Sequence, residues 1–199
     1  MAAQPMQNTL ASVFWPVQGE QASILRLVVL AVAGTALLTL SAKLKVPFYP
    51  VPMTMQTLVV LVLGAAYGWR LAVATVGLYL LQGAMGLPVF ADTPERGIGL
   101  PYMMGPTGGY LIGFVVGAYV VGVLAERGFG RSILGMFAAM ALGHLAIFVC
   151  GFAWLATLVG PKAAWIGGVV PFFAATALKT ALGTALVPAI WAMVDRRAS

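Results

Sequence analysis

Charge is what this sequence has least of. Asp, Glu, Lys and Arg make up 8% of its 199 residues, against roughly 25% in soluble domains. So few charges cannot clothe a water-facing surface, and a soluble domain is excluded. Cysteine and histidine occur once each, as Cys150 and His144, so an intrachain disulfide and the usual His/Cys metal clusters are excluded too. Cys150 sits in an apolar run and reads as packing. No GxxxxGK[ST] loop is present, so ATP is not hydrolysed by that route. Acids are scarce as well: Glu20, Asp92, Glu95, Glu126 and Asp195 are all five, and each falls at the end of an apolar run or in a loop. A carrier coupled to protons or sodium places a carboxylate inside its bundle; here the energy for uphill transport would come from another subunit.

What is present is apolar. Hydrophobic residues make up 61% and the mean hydropathy is +0.99. Crossing a hydrocarbon core takes about 20 helical residues. Six runs are read as spans: about Ser23–Ala42, Thr54–Tyr67, Leu71–Leu87, Thr107–Ala125, Ser132–Val159 and Trp165–Val194. The second is short. Pro47, Pro50 and Pro52 stop the first run, since proline lacks the N–H and restricts the residue before it. Gly68-Trp69-Arg70 separates the second from the third, and a Gly/Pro-rich loop over Pro88–Pro106 separates the third from the fourth. The expected fold is an all-α membrane bundle of six helices (residues 23–195), with an N-terminal tail (1–22) and a short cytoplasmic tail (196–199). Residues 1–22 lack the basic start of a signal peptide and carry Pro5, Pro16 and Glu20; the segment 10–17 reads either as interfacial or as a loose tail. The net charge of +6 is spread over run ends, which suits lipid headgroups and not nucleic acid. With both termini cytoplasmic, Arg26, Arg70, Arg127, Arg131, Arg196 and Arg197 face inward, while Lys43, Lys45, Arg96 and Lys162 face outward.

Candidate chemistry is confined to a few polar residues. Lys179 lies in the last apolar run, where a lysine costs about 2.5–3.5 kcal/mol to insert. An anionic or carbonyl-bearing ligand would offset that cost; snorkelling to the interface is the alternative. Thr176 is three residues earlier, on the same helix face. The loop from Gly86 to Gly109 carries Arg96, suited to a carboxylate, and the aromatics Phe90 and Tyr102; Thr107 is placed to cap the fourth helix. A lid or pocket role is expected for this loop. Thr54, Gln56 and Thr57 gather hydrogen-bonding groups at the mouth of the second helix, and Gln82 adds an amide near the end of the third. These suit a polar, uncharged ring, or equally helix capping and interhelical bonds. Ala31 and Thr35 form a small-xxx-small pair for close approach of another helix, within the chain or from a partner. His144 reads as a hydrogen-bonded histidine at a helix contact in preference to a proton shuttle.

Three motifs together resemble the BioY family, the biotin-specific substrate-binding (S) components of energy-coupling-factor (ECF) transporters: residues 46–57 (VPFYPVPMTMQT), 86–91 (GLPVFA) and 105–114 (GPTGGYLIGF). Residues 171–179 (PFFAATALK) match the family's sixth-helix motif less fully. The resemblance spans roughly residues 23–195. It implies a six-helix bundle with a biotin pocket near the outer face of the cytoplasmic membrane. It also implies dependence on a transmembrane coupling protein and ATPase subunits, met by small residues of the first helix such as Ala31 and Thr35. Some members are thought to act without the full module, as oligomers. On this resemblance no cofactor is needed, biotin is the partner, and its carboxylate falls to Arg96 or Lys179. Its ureido ring falls to Gln56, Gln82, Thr176 or Lys179, with Thr54 nearby, and its apolar parts to Phe90 and Tyr102. The sequence departs from the family in one place: Thr176 stands where an aspartate is usual, keeping an acceptor and losing the charge.

Rival readings are a stand-alone facilitator, an S component for another small vitamin-like solute, and an intramembrane enzyme. The last fares worst, because the acid–base inventory inside the runs is nearly empty.

Overall fold

The computed structural model describes residues 9–16, 19–46 and 49–198. The expected helix breaker Pro47 lies outside the described residues, as does Phe48 of the first motif. The chain runs α1 (Leu10–Phe14), α2 (Glu20–Lys43), β1 (Lys45–Val46), β2 (Met53–Thr54), α3 (Gln56–Tyr67), α4 (Trp69–Ala84), α5 (Gly99–Met103), α6 (Gly108–Glu126), a 3-10 turn (Phe129–Arg131), α7 (Ile133–Val159), α8 (Pro161–Gly168), a second 3-10 turn (Val170–Phe172) and α9 (Phe173–Ala198). Four stretches are long and apolar enough to cross a membrane: Glu20–Lys43, Gly108–Glu126, Ile133–Val159 and Pro161–Arg196. α3 is apolar and shorter, with 12 residues, and α4 has 16.

Three boundaries differ from the sequence reading. The N-terminal segment contributes α1, whose Leu10 is buried in the common core, and α2 begins at Glu20 and not at Ser23. Thr54 lies in β2, paired antiparallel with Lys45 of β1, because three prolines keep this segment extended until Gln56. The last run is broken in two. Pro171 sits in the 3-10 turn, where it denies the preceding turn a backbone donor, and α9 starts afresh at Phe173.

α6 forms the centre. It packs against α3, α4 and α7, and 61% of its apolar window is buried, against 17% for α2. Gly109, Gly113 and Gly117 recur every fourth residue and so share one helix face. That face meets α7. A Cβ on Gly113 would stand 2.8 Å from Ile147 Cα and 2.9 Å from its carbonyl oxygen, and one on Gly117 would stand 3.1 Å from Gly143 O. Backbone therefore lies on backbone, the geometry that drives helix association where lipid removes the hydrophobic incentive. On α3, Gly64 does the same against Ala118 O, at 2.9 Å from a notional Cβ.

The cations divide between the two ends of this bundle. Lys43, Lys45, Arg96 and Lys162 follow or lie between helices at one end, together with α5 and both strands; Arg70, Arg127 and Arg131 lie at the other, where Arg131 pairs with Asp195 at 3.5 Å. The polar residues of interest gather beneath the first end.

Candidate functional site

A cavity of about 490 Å³, counted out to its mouth, opens at the end that carries the strands. Its polar lining comes from Thr54, Gln56, Thr57, Thr107, Thr176 and Lys179. Tyr110 and Phe114 of α6, Ile147 and Phe148 of α7, and Phe172 make the walls, with Val51, Pro52 and Ala91 toward the loops. The mixture is that of a small-molecule site: apolar cover with a few placed polar groups.

Lys179 is the only charged residue lining the cavity. Six residues into α9, it stands about 9 Å along the helix from Phe173 at 1.5 Å per residue. It is 5% exposed, and its Nζ donates to Thr57 Oγ1 at 3.2 Å. Among the described residues no carboxylate comes within ion-pair distance of it. An ammonium carries three donors, so the pocket holds a cation with one neutral protein partner. Thr176 lines the same cavity one helical turn away.

Gln56 opens α3 and is buried. Its Nε2 donates to Tyr79 Oη at 2.6 Å, and Tyr79 Oη donates to Val89 O at 2.9 Å. This chain of bonds joins the pocket floor to the loop after α4. Thr54 Oγ1 accepts from Gln56 N at 3.3 Å, so β2 sets the start of α3. Thr107 precedes α6 without a side-chain capping bond.

Phe90 and Tyr102 stand behind the cavity and do not line it. Their rings stack at 5.1 Å, and Phe90 meets Tyr79 edge-on at 5.4 Å. Phe90 lies flat over Gly83, where any Cβ would collide with its ring. Burial pushes the Tyr102 phenol above its ordinary range. Arg96 is turned to the loops: its guanidinium pairs with Asp92 at 3.3 Å and donates to Pro50 O at 3.3 Å. Asp92 also pairs with Lys45. Lys43 Nζ donates to Phe90 O and Thr93 O, both at 2.9 Å, and to Thr93 Oγ1 at 3.2 Å. Three cations thus pin the 88–97 loop to the end of α2 and to the 49–55 segment, whose Val51 and Pro52 border the cavity.

Gln82 lies apart from the cavity. Its Nε2 reaches Thr35 Oγ1 at 3.5 Å, and Thr35, 3% exposed, faces inward from α2 toward α4. Ala31 is half-buried. The free face of α2 carries Leu25, Val29, Val32, Ala36 and Leu40 instead.

Several lining residues lay outside the sequence reading of the site. Tyr110 and Phe114 belong to the 105–114 motif and Phe172 to the 171–179 motif, so that signal was available. Tyr110 Oη donates to Gly168 O at 2.6 Å, tying α6 to α8. Phe148 carried no signal, being one aromatic within a long apolar run. No cluster of three or more His, Cys, Asp or Glu suited to a metal occurs among the described residues.

Comparison with known proteins agrees with this architecture. A crystal structure of the S-component for biotin from an ECF-type ABC transporter superimposes with a TM-score of 0.74, covering 87% of this chain and 94% of that one at 20% identity. That likeness establishes the fold. A probable biotin transporter BioY of Pyrococcus horikoshii is 35% identical over 146 residues, 73% of this chain and 84% of the relative. Biotin transporter BioY2 of Lactococcus lactis is 32% identical, covering 79% and 87%. BioY of Thermotoga maritima is 50% identical over 97 residues, covering 47% and 53%. The BioY family itself matches residues 8–196, nearly the whole chain, and this multi-pass membrane protein belongs to the BioY family.

Proposed function

We propose that the chain is the biotin-binding S component of an ECF-type transporter, with the cavity facing outward and both termini in the cytoplasm. The observation that carries this reading is Lys179: a buried cation, one neutral partner, facing a cavity walled by aromatics and hydroxyls. Its desolvation is offset when a ligand supplies acceptors. In this reading six helices cross the cytoplasmic membrane, α3 and α4 being the short ones, and α8 with α9 forms the sixth span. Uptake is energised by a coupling protein and ATPases, and the exposed apolar face of α2 supplies a surface for a membrane partner, lipid or a second copy. Nothing in the site calls for a cofactor or for enzymatic turnover.

Biotin suits the depth of the cavity. Burying its carboxylate would cost far more than burying its neutral ureido ring. The ring therefore lies deep: its carbonyl accepts from Lys179, while Thr176 Oγ1 and Gln56 Oε1 accept from its N–H groups. Phe148, Phe172 and Tyr110 cover the thiophane ring and chain. The carboxylate stays at the rim, on the side where Arg96 bonds Pro50 O. Thr54 and the stacked Phe90–Tyr102 pair support this arrangement from behind, and Gln82 sets the approach of α4 to α2.

Equilibrium binding of radiolabelled biotin to the purified chain, without ATP or partners, tests the reading. One site per chain with a Kd below about 1 µM is expected, with biotin methyl ester competing nearly as well. Absence of binding below that concentration overturns the capture function and leaves a facilitator, which must release its solute easily. Strong binding of biotin with none of the ester overturns the rim position of the carboxylate. Thr176→Asp is expected to tighten binding by adding a charged acceptor; unchanged affinity would remove Thr176 from the site.

A further inference from the structure

On the far side of Thr176 and Phe148, which line both spaces, a second recess runs between α7 and α9. It holds about 1240 Å³ counted out to its open, lateral side and is walled almost wholly by apolar atoms. Ala177, Ala181 and Ala185 border it at every fourth residue of α9, and Thr176, Thr180 and Thr184 run beside them. Small residues in this spacing allow a neighbouring backbone to come close.

Two polar groups in the recess are unsatisfied. His144 is 3% exposed. Its Nδ1 lies 3.1 Å from Met140 O and 3.1 Å from Thr180 Oγ1. A carbonyl can only accept, so the proton sits on Nδ1. Nε2 is then a bare acceptor, and it has no hydrogen-bond partner among the described residues. Thr184, 8% exposed, leaves its Oγ1 unpartnered as well. Acyl chains donate no hydrogen bond, so lipid cannot satisfy Nε2. A helix that brings a donor can.

We propose that the α7–α9 recess receives a membrane-spanning helix of a different polypeptide, one with a small-residue face and a hydroxyl or amide donor that bonds His144 Nε2. A second copy of this chain is a poor occupant. Thr35, Thr39, Ser41 and Thr75 spend their hydroxyls on their own helices, and Tyr67 bonds Leu30 O. Tyr119 faces outward, but on a narrow stripe with Ile112 and Val116 of a helix otherwise enclosed. That stripe cannot lie down in a groove. The proposal concerns a surface apart from the biotin cavity, and biotin binding in the same samples reports on that function separately.

The test uses the full chain in lipid vesicles and a designed single-span Leu/Ala peptide with a small-residue face and one central Asn, followed by energy transfer between fluorophores. A control peptide has Leu in place of Asn. The Asn peptide is expected to bind roughly three- to thirtyfold tighter than the control. His144→Phe removes that preference. Ala181→Leu, at an exposed position, fills the groove and abolishes binding of both peptides while biotin binding persists. Equal binding of the two peptides overturns the proposal, as does undiminished binding to Ala181→Leu. Self-association of the labelled chain that Ala181→Leu abolishes would assign the groove to a second copy, and likewise overturns it. If His144→Phe fails to bind biotin, the Ala181→Leu arm decides alone.

Discussion

The seam between α6 and α7 and the cavity above it are built on opposite terms. Along the seam, Gly109, Gly113 and Gly117 bring backbones together, and no side chain needs a polar partner there. In the cavity, Lys179 is buried with a single hydroxyl at 3.2 Å. The seam is complete without a ligand; the cavity is not. Close-packed helices supply rigidity through many small dispersion contacts, which lets a cavity a few ångströms away keep an unsatisfied cation in place. Stability and binding are thus assigned to different faces of the same two helices, and substitutions should separate them.

The largest effect is expected at the seam. Gly117→Val pushes a branched side chain against Gly143 O and Leu61 and is expected to cost about 3 kcal/mol, read as a fall in Tm and in folded yield. A variant that folds and binds biotin normally would break the contrast from its stable side. In the cavity, Lys179→Met is expected to weaken biotin binding by roughly ten- to a hundredfold, the range for loss of a hydrogen bond from a charged group, while Tm holds or rises because a buried charge is gone. Tyr79→Phe joins the two regions. It removes the bond to Val89 O at 2.9 Å and an acceptor for Gln56 at 2.6 Å, so a loss of about 1–2 kcal/mol in stability should accompany a severalfold loss in affinity. An effect on stability alone would detach Gln56 from the ligand. The smallest effect belongs to Lys45→Gln, which loosens the Asp92 cluster. Partly exposed pairs contribute about 0–1 kcal/mol, so faster biotin release with little change in Tm is expected, measured by stopped-flow exchange.

Much of this contrast could be read from residue order. Lys179, Thr176, Gln56 and Thr54 stood out as polar residues in or beside apolar runs, and the structure brings those four to one cavity. Helices were legible for the same reason, since long apolar runs have few alternatives. The aromatic walls were not. Phe148 and Phe172 are chemically indistinct from the core and lipid-facing aromatics around them, and only the packing of α7 on the 3-10 turn selects them. Arg96 shows the converse. Its charge suggested a ligand carboxylate, yet folding supplies Asp92 four residues earlier and Pro50 O from another loop. Thr35 likewise read as a surface for another helix and is buried against α4. The break at Val170–Phe172 was signalled by Pro171, but an apolar run through it masked the stop. The glycines of α6 repeat visibly every four residues; that they meet α7 follows only from the fold.

The claim that the cavity waits for a ligand to satisfy Lys179 is tested most directly by titrating biotin into wild-type protein and Lys179→Met, with Tm recorded for both. The account predicts an affinity loss of at least about tenfold with Tm unchanged or higher in the variant. Equal affinity, or a Tm that falls along with the affinity, would contradict it.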